Sequence, residues 1–171
     1  MGPLGKPFDI ETKYGRIYVV GGGIGIFPLL FLLKKSCAII KRAYLGFRSK
    51  ECITLENEFR AATSSLSIST DDGSYGYHGV VTDILKNDLE IEKPDIIFAC
   101  GPKPMLKKIS EIAEEQDILC QISLEERMGC GIGACLVCSC KTRTSWENNE
   151  YTYSRVCKDG PVFWSKDVIF D

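Results

Sequence analysis

Histidine is nearly absent: His78 is the only one in the chain, and it lies in the turn-rich stretch TDDGSYGYHG (70–79). A Ser–His–Asp arrangement cannot be argued from it, and Asp71 and Asp72 are expected to shape a turn rather than bind metal. A basic run is also missing. Lys and Arg are scattered and the formal net charge is −2, so no nucleic-acid partner is expected. No stretch reaches the ~20 apolar residues of a membrane span. The longest uncharged segment, Ile17 to Leu33, is broken by four glycines and Pro28. The first residues, MGPLGKPFDIETKYGR, lack the basic-then-apolar order of a signal peptide. Lys6 stands where a myristoylation signal needs Ser or Thr. A soluble, cytoplasmic protein without membrane contact is the expectation. Repeats and low-complexity tracts are absent too.

What is present is ordinary for a core-forming protein: 171 residues, 44% hydrophobic and 26% charged. RIYVV (16–20) reads as a buried strand, followed by a glycine loop at 21–25 and an apolar helix at 26–35. Further strands are predicted at 39–47, 65–69, 95–100 and 118–124, and helices at 51–62, 80–87 and 103–116. Strands alternating with helices imply βαβ units, hence an α/β fold with an open parallel sheet. After Leu124 the texture changes. The last 47 residues hold five of the nine cysteines and no clear amphipathic helix. The reading is a nucleotide-binding domain over 16–124 and a small, cysteine-rich, mostly β module over 125–171. So small a module supports little core by itself, which metal coordination would offset.

Nine cysteines, an odd number, do not suggest a disulfide framework. Cys130, Cys135 and Cys138 lie in MGCGIGACLVCSC (128–140) with C-x4-C-x2-C spacing, that of plant-type [2Fe–2S] proteins, in which a fourth cysteine follows later. Cys140 follows too closely and reads as a strand residue beside the cluster. Cys157, in YSRVCKDGPVF, is the better fourth ligand. Gly129, Gly131 and Gly133 would let backbone approach the sulfurs. Structural zinc also takes four cysteines, but usually as two short CxxC-like pairs. Cys37, Cys52 and Cys120 read as small buried residues.

VVGGGIGIFPLL sets glycines between a strand and a helix, where N–H groups meet a pyrophosphate. Gly23 to Pro28 is GxGxxP, not GxGxxG, and the acid expected about 20 residues on is replaced by Arg48. A tight turn of any α/β protein is the competing reading. Gly22, Gly23, Ile24 and Gly25 are the candidate dinucleotide contacts. Arg48 and Ser49 are candidates for the adenosine ribose or a 2′-phosphate. FACGPKPML places Cys100, Gly101 and Pro102 at the carboxyl end of a later strand, near that loop.

Together, CxxxxCxxC, GGGIGxxP and ACGPKPM resemble the ferredoxin–NADP reductase superfamily. EERMGCGIGACLVCSCKT with RVCKDGPVF, and also GPLGKPFDI, GFRSKE and TDDGSYGYHGVVTDIL, resemble more closely the electron-transfer subunits of B-type dihydroorotate dehydrogenases. The resemblance covers nearly the whole chain. It implies electron passage between NAD(H), FAD and a [2Fe–2S] cluster, and a partner subunit carrying FMN that oxidises dihydroorotate to orotate in pyrimidine biosynthesis. It places a cysteine, here Cys100, near the nicotinamide, and needs no general base. The family also has an N-terminal flavin barrel with an Arg-x-Tyr-Ser motif. Here RAYL (42–45) is the nearest match, and residues 1–15 resemble the barrel's end. The expectation is a linker remnant at 1–15, with FAD doubtful for this chain alone and a separate flavin domain as a possible partner. Two other functions fit the same residues: a non-enzymatic redox-sensing or docking module, and a reductase subunit serving another substrate.

Overall fold

The computed structural model describes residues 4–145 and 150–170, so residues 1–3 of the predicted linker lie outside the described residues. Strand β1 (Arg16–Gly22) leads through a short 3-10 turn (Gly23–Gly25) into α1 (Ile26–Lys35). Then come β2 (Ile40–Phe47), α2 (Glu56–Ala62), β3 (Ser65–Thr70), the two-residue β4 (Tyr77–His78), α3 (Val81–Ile91), β5 (Ile96–Cys100), α4 (Lys103–Glu115) and β6 (Leu119–Ser123). The remaining strands are β7 (Ser139–Arg143), β8 (Tyr151–Arg155) and β9 (Val162–Trp164). Several stretches differ from the sequence reading, among them α3, which runs four residues beyond the helix read at 80–87. Gly21 and Gly22 extend the strand because they pair with Leu45 and Gly46 of β2. Residues 51–62 do not form one helix: a 3-10 turn at Lys50–Cys52 and Leu55 in a left-handed conformation (φ 59°) precede α2.

The main sheet runs β4-β3-β2-β1-β5-β6-β9, parallel throughout except for β9, which is antiparallel to β6. Along β1 the side chains alternate. Ile17 and Val19 pack on one face with Leu29 and Leu33 of α1 and Phe59 of α2. Tyr18 and Val20 pack on the other with Leu85 and Leu89 of α3 and Leu106 and Ile109 of α4. Helices therefore cover both faces, as a parallel sheet requires. Each helix shows its cause in the sequence. Pro28 sits in the first turn of α1, where its missing N–H costs nothing, and Lys34 and Lys35 end it against the negative pole. Buried Leu106, Ile109, Ile112 and Ala113 form one stripe of α4.

The cysteine-rich tail shares the core of this sheet. β7 and β8 form a two-stranded hairpin, while Val162 to Trp164 add the seventh strand of the main sheet. Cys138, Val156, Cys157 and Val168 pack in the same apolar cluster as Leu106, Cys120 and Ile122. The N-terminal segment is fastened to the same edge. Lys6 donates its N–H to the Gly160 carbonyl, Asp9 donates to Gln121 Oε1 at 2.9 Å, and Phe8 is buried against Phe98 at 5.5 Å between ring centres. Among the described residues no helix is long and apolar enough to cross a membrane.

A shared core has a measurable consequence. Leu106→Ala should lower the unfolding free energy by about 2–5 kcal/mol, the usual cost of a buried leucine cavity. Circular dichroism and tryptophan fluorescence should shift together in urea. A fluorescence transition left in place while the helical signal moves would show that the tail holds its own core.

Candidate functional site

Strand order reverses between β1 and β5: β2 lies on one side of β1, and β5 begins the other side. Such a switch point opens a crevice at the carboxyl ends of the strands. Here it is a groove of about 910 Å³ lined by Gly22 at the end of β1, Gly23 and Ile24 after it, Arg48 after β2, Asp71 after β3 and Pro102 after β5. Phe27, Val81 and Met105 bring the first turns of α1, α3 and α4 to the same groove. Parallel βαβ units point every helix N-terminus to this edge, and N-termini with free N–H groups attract anions.

Gly25 explains how the loop is held. A Cβ there would overlap the carbonyl of Cys100, so the loop after β1 lies directly on the end of β5. Gly21 and Cys100 are register partners. Cys100 and Gly101 support the groove from behind and are not on its lining, and Ser49 also stands back, 3.7 Å from Cys52 Sγ. Burial holds the Cys100 thiol above its ordinary pKa, opposed by a hydrogen bond with Ser123. Among the groove residues missing from the sequence reading are Phe27, Phe47, Asp71, Val81, Met105 and Lys108. Several directly follow strand ends or open helices, the positional signal that could have flagged them.

The four predicted ligands lie on a loop that leaves β6 at the same edge and on the turn after β8. Lys103 at the start of α4 pairs with Glu126 and ties the loop's root to the groove's rim. Cys130 and Cys135 are exposed, whereas Cys138 and Cys157 are buried. The thiols are free and neighbour one another in pairs, Cys130 with Cys135 and Cys138 with Cys157. Backbone also reaches the sulfurs. Ala134 donates to Cys130 Sγ at 3.2 Å and Cys157 donates to Cys138 Sγ at 3.4 Å. N–H groups of Ile132 and Cys135 pull the Cys130 pKa down to about 6, toward the thiolate that binds metals. Gly133 has φ 84°, a conformation that suits glycine, and its carbonyl accepts from Arg155 at 3.1 Å. Arg155 is fixed in turn by Asp159 at 3.0 Å. Among the described residues no three cysteine, histidine or carboxylate groups surround one point closely enough to hold a single ion.

Cys140 is a half-buried residue of β7, with its pKa raised to about 11, chiefly by burial. Cys120 is buried, and its pKa is raised to about 12. Cys37 and Cys52 correct the sequence reading: both are exposed. Cys37 sits after α1 has ended, and Cys52 lies in the 3-10 turn that lines the groove, so neither reaches a core. His78 is exposed in β4, away from the groove's lining. Brief iodoacetamide treatment at pH 7.5 should therefore label Cys37 and Cys52 well before Cys120, read by peptide mass spectrometry. Equal labelling of all three in the folded protein would contradict this burial pattern.

Residues 125–169 match the family described as the iron–sulfur cluster binding domain of dihydroorotate dehydrogenase B. The chain is 46% identical over 170 residues to the "Dihydroorotate dehydrogenase B (NAD(+)), electron transfer subunit" of Caldanaerobacter subterraneus subsp. tengcongensis, covering 99% of this chain and 65% of that relative. The protein of the same name from Clostridium perfringens is 42% identical over 174 residues, again with 99% and 65% covered. The chain thus spans about 65% of the length of these curated relatives. Among solved structures, an NADH-dependent reduced ferredoxin–NADP oxidoreductase, studied for flavin-based electron bifurcation, superposes with a TM-score of 0.81 at 32% identity, over 99% of this chain and 59% of that one. The C-terminal domain of a Pyrococcus furiosus hydrogenase shares the fold, with a TM-score of 0.55 at 21% identity, over 72% of this chain and 100% of that one. The chain is therefore similar, over 99% of its length, to about two thirds of the length of proteins named as electron-transfer subunits of dihydroorotate dehydrogenase B.

Proposed function

We propose that this chain carries the NAD(H)-binding and [2Fe–2S]-binding parts of an electron-transfer subunit. It passes electrons between NAD(H), a flavin and the cluster, coupled to oxidation of dihydroorotate to orotate by a separate FMN-containing subunit. The observation that carries the reading is the placement of two unlike sites on one sheet edge. The groove opens over the ends of β1 and β5, and the cysteine loop leaves from the end of β6, whose Ser123 is the register partner of Cys100.

The residues fit the cofactors the reading requires. Cys130 with Cys135 and Cys138 with Cys157 form two pairs of thiols. Two thiolates per iron suit a binuclear cluster, whereas one zinc ion needs all four at a single point. The N–H groups already directed at sulfur favour thiolates and would help set a potential. When bound, the cluster supplies one-electron transfer. At the groove, Gly22, Gly23 and Ile24 bring backbone N–H groups to a pyrophosphate beside the positive ends of α1 and α4. Gly25 fixes that loop, Cys100 and Gly101 back it, and Pro102 starts α4 at the nicotinamide end. Arg48 and Ser49 lie at the adenosine end. None of these residues has to move a proton, because a nicotinamide carries its electrons as hydride.

Anaerobically purified protein should show sulfide-to-iron charge-transfer absorption, with iron and acid-labile sulfide in equal amounts. Cys157→Ser should abolish it, while Cys140→Ser should retain it. Colourless protein containing zinc would overturn the cluster assignment. At the second site, Gly25→Val should weaken NADH binding about tenfold or more by calorimetry, the equivalent of about 1.4 kcal/mol, and leave the cluster spectrum unchanged. Unaltered NADH affinity in that variant would remove the glycine loop from the binding site.

A further inference from the structure

The sequence shows no acid at the end of β2, where nucleotide-binding folds of this kind place the carboxylate that reads the adenosine ribose. Arg48 stands there instead, a residue that by itself would suit a 2′-phosphate. The fold brings an acid to this spot from the next strand. β3 pairs with β2 so that Thr70 is the partner of Phe47, and each strand releases its following residue, Asp71 or Arg48, into the same groove. Backbone bonds fix the juxtaposition: Asp71 donates its N–H to the Phe47 carbonyl at 3.0 Å and Asp72 donates to the Arg48 carbonyl at 3.3 Å. Lys50 donates to Ser74 Oγ at 2.8 Å and ties the two loops further.

The two neighbouring aspartates are not equivalent. Asp72 accepts from the Ser74 N–H at 3.0 Å and from its hydroxyl at 2.6 Å, and so caps its own turn. The Asp71 carboxylate lines the groove and makes no hydrogen bond or ion pair among the described residues. The other charged residues of the lining, Arg48 and Lys108, are both cations, so Asp71 is the groove's single acid among the described residues.

Resting on the dinucleotide reading of the groove, we propose that Asp71 sets its nucleotide specificity. Its carboxylate accepts a hydrogen bond from the adenosine ribose 2′-hydroxyl and repels a 2′-phosphate, so the groove takes NAD(H) in preference to NADP(H). Arg48 then holds the adenosine side by contact with base or phosphate, without selecting for the extra charge. The charge on Asp71 does the selecting, because a hydrogen bond to an ionised acceptor is stronger than a neutral one and a phosphate brought against a carboxylate is a repulsive like-charge contact.

Calorimetric titration of the chain with NADH and, separately, with NADPH tests this. The unaltered chain should bind NADH at least about tenfold more tightly than NADPH. Asp71→Asn and Asp71→Ser should weaken NADH and tighten NADPH, bringing the two within about threefold of each other. Asp72→Asn should keep the original ratio. NADH binding with a ratio unmoved by either Asp71 substitution, or a preference of the unaltered chain for NADPH, overturns the specificity role and leaves the groove assignment standing. Binding of neither nucleotide by the unaltered chain overturns the groove assignment itself. Circular dichroism of each variant separates these outcomes from misfolding.

Discussion

The close passage of one backbone over another governs this structure. Gly25 lies on the carbonyl of Cys100 with no room for a side chain between them. That contact brings the end of β1 onto the end of β5 where strand order reverses, and the groove exists because of it. A parallel sheet then does the rest. With every crossover helix starting at the same edge, the first turns of α1, α3 and α4 meet there together, and their N–H groups give an otherwise apolar groove its attraction for an anion.

The same edge roots the cysteine loop. Its sulfurs are positioned from two sides: an exposed, glycine-rich stretch carries Cys130 and Cys135, and the packed core carries Cys138 and Cys157. Burial of the second pair against Leu106 and Ile122 makes the sheet the platform for the loop. Arg155, which donates to the Gly133 carbonyl and pairs with Asp159, links the exposed stretch to the turn that carries Cys157. Side chains locked in this way by packing and hydrogen bonds are held in one geometry.

The groove and the cysteine loop lie at one edge of the sheet. Neither site requires a general base, and the chain's single histidine sits exposed at the far end of the sheet, in the short β4 next to β3. Among the described residues, Arg48, Lys108 and Asp71 are the charged groups lining the groove, and N–H donors face the sulfurs. Both arrangements use backbone dipoles as much as side chains. Glycine is therefore frequent where the chemistry would be and scarce in the helices.

The sequence by itself determined the alternation of strands and helices, because burial on both faces of a parallel sheet leaves apolar runs too regular to misread. Helix α1 begins and ends at the residues its apolar run and terminal lysines indicate. The spacing of Cys130, Cys135 and Cys138 was equally legible, since local backbone geometry sets it. Longer-range features were decided only in three dimensions. Cys37 and Cys52 looked like small core residues, yet Cys37 falls just past the end of α1 and Cys52 lies in a 3-10 turn none of whose residues is buried. The tail's dependence on the main core, through β9 and through Val156 and Val168, follows from pairing between residues about 40 positions apart in sequence, which no local pattern encodes. Asp71 reads as an ordinary turn residue along the chain. Only the register of β3 against β2 sets it beside Arg48, because strand pairing, not sequence distance, decides which loops share a groove.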